Sequence, residues 1–84
     1  MHINKRKIYL VIGLGRSGYW AAKFLNSKGK RVIVLEEKIN DQFVIYKKDL
    51  ENIGIKVYLE FPFEFDQISQ WLDNINYVIL SPAI

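Results

Sequence analysis

The chain of 84 residues contains no cysteine, two prolines and one histidine. The lack of cysteine excludes disulfides and fits a reducing, cytoplasmic setting. The one histidine is His2, near the chain start, so no histidine-based acid/base or metal site is predicted. No apolar run is long enough to span a bilayer. Lys5, Arg6 and Lys7 precede an apolar segment in the manner of a signal peptide. Gly13, Gly15, Arg16 and Ser17 break that segment early, and no small-residue cleavage site follows, so no signal peptide is expected. No G-x-x-x-x-G-K-[ST] loop occurs, which rules out ATP phosphates held in the P-loop manner. Repeats and low-complexity tracts are also missing.

Half of the residues are hydrophobic. That is enough for one small domain with one core, taken here as residues 1–84. The net charge is +3. Basic residues are scattered and interleaved with acids, as in Lys47, Lys48, Asp49 and Glu51, which describes a solvated surface. A nucleic-acid partner would call for a basic stripe with exposed aromatics, and none is predicted. Asp41, Asp49, Glu51, Glu60, Glu64, Asp66 and Asp73 are spread over predicted helices and loops. They form no catalytic constellation and no metal site.

Apolar residues of both parities over 7–12 predict a buried parallel strand. Residues 17–28 predict a helix, with Ala21, Phe24, Leu25 and Lys28 at helical spacing and Gly29 after its last turn. Residues 31–36 form a second Val- and Ile-rich strand. Asn40-Asp41 caps a second helix over 42–52, with Phe43, Tyr46, Leu50 and Ile53 as its apolar stripe and Gly54 at its end. A short third strand covers 56–59, a third helix 64–73 and a fourth strand 77–80. Trp20 and Trp71 are read as core or half-buried packing residues.

This alternation predicts an α/β fold. The expected form is a Rossmann-like, doubly wound parallel sheet of four strands in the order 3-2-1-4. The fourth strand closes the chain so abruptly that a fragment of a longer protein is expected. The switch point then lies between strands 1 and 4, where such sheets bind ligands outside the strands' carboxyl ends.

The first strand runs directly into Gly13-Leu14-Gly15-Arg16-Ser17-Gly18. A glycine-rich strand-to-helix turn brings backbone close to a diphosphate and aims the free N–H groups of a helix start at it. Arg16 adds a cation. The Ser17 hydroxyl either donates to a phosphate or caps the helix. Glu36 ends the next strand, where an acid accepts bonds from a ribose or base; otherwise it is a charged strand end facing water. Glu37 beside it disfavours a 2′-phosphate, and Lys38 partly offsets that.

Those residues, the helix Ala21-Ala22-Lys23-Phe24-Leu25 with Lys28-Gly29, the strand Val32 to Glu36 and the ending Ile79-Leu80-Ser81-Pro82-Ala83-Ile84 resemble the N-terminal domain of the Mur ligases, which build bacterial peptidoglycan. The resemblance covers nearly the whole chain. Its discriminating part is the pairing of the glycine turn with the Ser-Pro ending. It implies a domain that binds the UDP moiety of a UDP-sugar substrate. Arg16 and Ser17 would meet the diphosphate, with Gly13, Leu14, Gly15 and Gly18 shaping the turn. Glu36, Glu37 and Lys38 would meet the uridine, and Ser81, Pro82 and Ala83 would approach the nucleotide. The family's usual residue is Asp at position 36 and Gly at position 83. The resemblance also implies that ATP and Mg²⁺ act in further domains of the full-length ligase, through an acyl phosphate. No cofactor is assigned to this chain, and no catalysis by it alone. An NAD-binding regulatory domain is the alternative reading, and a small Rossmann-like module with an empty site is a third.

Overall fold

A computed structural model describes residues 8–69 and 75–80. The elements are β1 (Ile8–Ile12), α1 (Arg16–Ser27), β2 (Arg31–Leu35), α2 (Asp41–Asn52), β3 (Lys56–Tyr58), α3 (Phe65–Ile68) and β4 (Ile75–Leu80). The strands lie in the order β3-β2-β1-β4, and each neighbouring pair is parallel. β1 pairs with β2 from Ile8 opposite Arg31 to Ile12 opposite Leu35. It pairs with β4 from Ile8 opposite Ile75 to Ile12 opposite Leu80, with a register shift between Ile8 and Tyr9.

Successive strand residues point to opposite faces, and here both faces are buried. Val11, Val32, Val34 and Val57 pack with Leu14, Ala22, Leu50 and Ile55 on one side. Ile8, Leu10, Ile33 and Leu35 pack with Ile12, Tyr58 and Phe61 on the other. This explains why β1 and β2 are apolar at both parities. Residues of α1 and α2 both join the first cluster, so the two helices share a face. Tyr19 ties them together. Its ring stacks on Tyr46 at 4.3 Å, and its hydroxyl donates to the Asp49 carboxylate.

Both helices end in the same way. Gly29 has φ 77° and Gly54 φ 92°. In α1, Gly29 N–H bonds to Asn26 O and Lys30 N–H to Leu25 O. In α2, Gly54 N–H bonds to Glu51 O and Ile55 N–H to Leu50 O. This paired closure satisfies otherwise orphaned carbonyls. At the other end of α2, the Asn40 side chain accepts from the Phe43 N–H at 2.8 Å. Replacing Asn40 with alanine is expected to cost about 1 kcal/mol. Urea denaturation followed by circular dichroism checks this, and an unchanged midpoint would count against the cap.

Several element ends differ from the sequence expectation. α1 begins at Arg16 rather than Ser17, and β2 ends at Leu35 rather than Glu36. β3 stops at Tyr58, because Glu60 turns the chain with φ 55°. β4 begins at Ile75 rather than 77. α3 spans four residues, and residues 70–73 of the predicted third helix, with Trp71, lie outside the described residues.

Trp20 is 58% exposed and Phe24 62%, so neither is a core residue. Helical geometry supplies the reason. The sheet-facing side of α1 is set by Gly18 and Ala22. At 100° per residue, Trp20 and Phe24 lie about 200° or more around from Gly18. Ile53 is likewise exposed, because it lies past the last turn of α2.

Candidate functional site

The glycine turn sits at the carboxyl end of β1. Gly13 leaves the strand with φ 100°, a region that disfavours any side chain. Its N–H still donates to Leu35 O at 2.8 Å, one step past the β1–β2 ladder. Leu14 then buries its side chain completely in the core. Gly15 is the N-cap of α1, and no side chain caps this helix. Ser17 therefore is not the cap, and its hydroxyl stands in the exposed first turn.

The first N–H groups of an α-helix have no partner within it. In α1 the first helix-start amide with a bond is that of Tyr19, which donates to Leu14 O and Gly15 O. No such bond is made by the amides of Arg16, Ser17 and Gly18 among the described residues. The first turn carries no acid, and Arg16 and Ser17 are exposed. A Cβ at Gly15 would meet nothing within 4 Å. The turn thus carries free donors, an exposed cation and open space at Gly15. Gly18 is buried against the sheet, which lets α1 lie close to it.

Glu36 follows β2 directly and is the buried charged residue of this region, at 8% exposure. It is not a strand end facing water. Its Oε1 accepts the Leu14 N–H at 2.8 Å, and its Oε2 accepts the Lys38 N–H at 2.8 Å. Its own N–H donates to Tyr58 O at 2.9 Å, and its carbonyl accepts from Phe61 N–H at 2.9 Å. One residue therefore joins the glycine turn, the loop after β2 and the segment after β3. Glu37 and Lys38 are exposed beside it. The structure thus brings Gly13 to Gly18 and Glu36 to Lys38 together. Ser81, Pro82 and Ala83 lie outside the described residues.

The contribution of Tyr58 and Phe61 has no counterpart in the sequence reading. Among the described residues, no group of three or more His, Asp or Glu side chains gathers to hold a metal ion. No helix among them is long and apolar enough to cross a membrane. A hollow lined by Val44, Lys47, Lys48, Glu51 and Asn52 runs along α2 and includes none of the residues at the turn.

A parallel α/β sheet with a glycine turn opening a helix at the end of its first strand is compatible with a truncated Rossmann-like fold. No family model matches the chain. Individual relatives do. UDP-N-acetylmuramoylalanine–D-glutamate ligase of Prochlorococcus marinus (strain MIT 9515) is 51% identical over 81 residues, which is 96% of this chain and 17% of that protein. The ligase of the same name from strain MIT 9312 is 48% identical over 84 residues, 99% of this chain and 18% of that one. That of Caldicellulosiruptor bescii is 40% identical over 81 residues, 95% of this chain and 16% of the relative. Over nearly its whole length the chain is therefore similar to ligases of this name. It spans about a sixth of the length of the curated relatives it matches.

Proposed function

We propose that this chain is the N-terminal, UDP-binding part of a UDP-N-acetylmuramoyl-L-alanine:D-glutamate ligase. The observation that carries the reading is the open, acid-free start of α1 in a chain whose relatives bear that ligase's name. The reading takes the sheet as the doubly wound kind, with its ligand crevice outside the carboxyl ends of β1 and β4. The amides of Arg16 and Ser17 would donate to the diphosphate, with the Arg16 guanidinium as its counter-charge. A helix start contributes about 0.3–1 kcal/mol toward an anion at an exposed site, so several donors must act together. The exposed Glu37 and Lys38 border the uridine end, and Ser81 to Ala83 would complete the crevice. In the full-length ligase, ATP and Mg²⁺ supply the chemistry that activates the substrate carboxylate. This chain binds and orients the nucleotide end, in the cytoplasm. The names of the relatives favour this over an NAD-binding regulatory domain.

An amide-detected NMR titration with UDP, and separately with NAD, tests the reading. UDP is expected to shift the amides of Leu14 to Ser17 and of Lys38, while NAD leaves them in place. Shifts with NAD alone would reverse the preference. No shift with either at millimolar concentration would remove nucleotide binding from this chain.

A further inference from the structure

We infer that Glu36 is a positioning residue: its carboxylate clamps the glycine turn to the loop after β2, so that an anion bound at the turn is felt at Lys38. The use of the clamp rests on the nucleotide reading above, while its geometry stands apart from it. Each carboxylate oxygen holds one backbone N–H, Leu14 on Oε1 and Lys38 on Oε2, both at 2.8 Å. The two amides belong to segments 22 and 2 residues away from Glu36 in sequence. Ionised carboxylates accept such bonds more strongly than neutral groups do. The main chain of Glu36 is pinned on both sides by Tyr58 O and Phe61 N–H. The carboxylate therefore projects from a fixed base, and moving either loop strains the other.

This arrangement changes the part given to the acid. A residue meant to accept ribose hydroxyls would present free oxygens to the crevice. Glu36 is almost wholly buried, and both its oxygens are engaged by backbone. It shapes the site from behind and leaves the contact surface to its exposed neighbours Glu37 and Lys38.

The test uses inorganic pyrophosphate, which has no sugar or base, on the whole chain and on Glu36→Gln. The two amides sit on different oxygens, and in a carboxamide one of those oxygens becomes an NH2 donor that cannot accept, so one amide loses its partner. In the unaltered chain, pyrophosphate is expected to shift the amides of Arg16, Ser17 and also Lys38. In Glu36→Gln the first two still shift and Lys38 falls silent. UDP binding then weakens about tenfold or more, as expected for loss of a hydrogen bond to a charged group. A Lys38 shift that persists in Glu36→Gln would overturn the clamp. So would UDP affinity equal to that of the unaltered chain. If neither pyrophosphate nor UDP shifts anything, the nucleotide reading fails. The clamp is then judged by amide hydrogen exchange in the free chain. Exchange at Leu14 or Lys38 about tenfold faster in Glu36→Gln supports it, and unchanged exchange overturns it. Glu36→Asp serves if Glu36→Gln does not fold. It keeps the charge, loses one methylene and is expected to release one amide.

Discussion

Replacing Leu50 with alanine is expected to lower the unfolding free energy by about 2–5 kcal/mol. Leu50 is fully buried and is the one buried side chain of α2. It packs in the cluster that joins β1, β2 and β3 to both helices, with Val11, Leu14, Ala22, Val34 and Val57 among its members. Its carbonyl also accepts the N–H groups of Ile53 and Ile55, so the residue closes the helix it anchors. Alanine keeps those backbone bonds and loses the side chain. Among the remaining walls Val11, Val32, Val34 and Val57 are strand residues fixed by the ladder, and they cannot collapse far into the void. A domain of this size has only about 5–15 kcal/mol in total, so the loss is a large share. Urea denaturation at 25 °C measures it. A change below 1 kcal/mol would mean that α2 is not held by this residue.

The second large effect is expected at Gly13. Its φ of 100° is open to glycine and an outlier for a β-branched residue. Gly13→Val should cost about 1–3 kcal/mol if the turn keeps its shape. If the turn instead relaxes to negative φ, the Gly13 N–H loses Leu35 O, and Leu14 moves away from Glu36. In that second case the amides at the start of α1 no longer point where they did, and UDP-induced shifts at Arg16 and Ser17 should disappear. A thermal melt paired with the UDP titration reads both consequences. An unchanged melting temperature together with unchanged shifts would show that this backbone conformation matters to neither.

Much of this was legible in the chain itself, and the reasons are physical. Apolar runs at both parities marked β1 and β2, because a parallel strand covered on both sides needs no polar face. Gly29 and Gly54 marked helix ends, because their left-handed conformations are costly for other residues. Asn40 marked a helix start through its side-chain oxygen. The glycine turn stood out for the same backbone reason, and its similarity to the Mur ligases agrees with the relatives found.

What the sequence hid depends on direction in space. Trp20 and Phe24 are apolar and at helical spacing, yet they face away from the sheet, because Gly18 and Ala22 set the inward side. Ser17 has the chemistry of a cap, but Gly15 takes that place two residues earlier in the backbone path. Glu36 was found by its position, while its partners were not. No spacing rule announces that one carboxylate will be shared by amides from two loops.

The two sides of β1 differ in the chain entropy they demand. Ile8 meets Arg31 on one side and Ile75 on the other. The second closure spans a loop roughly threefold longer, worth about 1 kcal/mol more in lost chain freedom. The flank that carries the glycine turn and β2 is thus assembled from local contacts. The β4 flank is the costlier one to close, and contacts at its carboxyl end that a nucleotide adds would offset a cost the sheet otherwise meets alone.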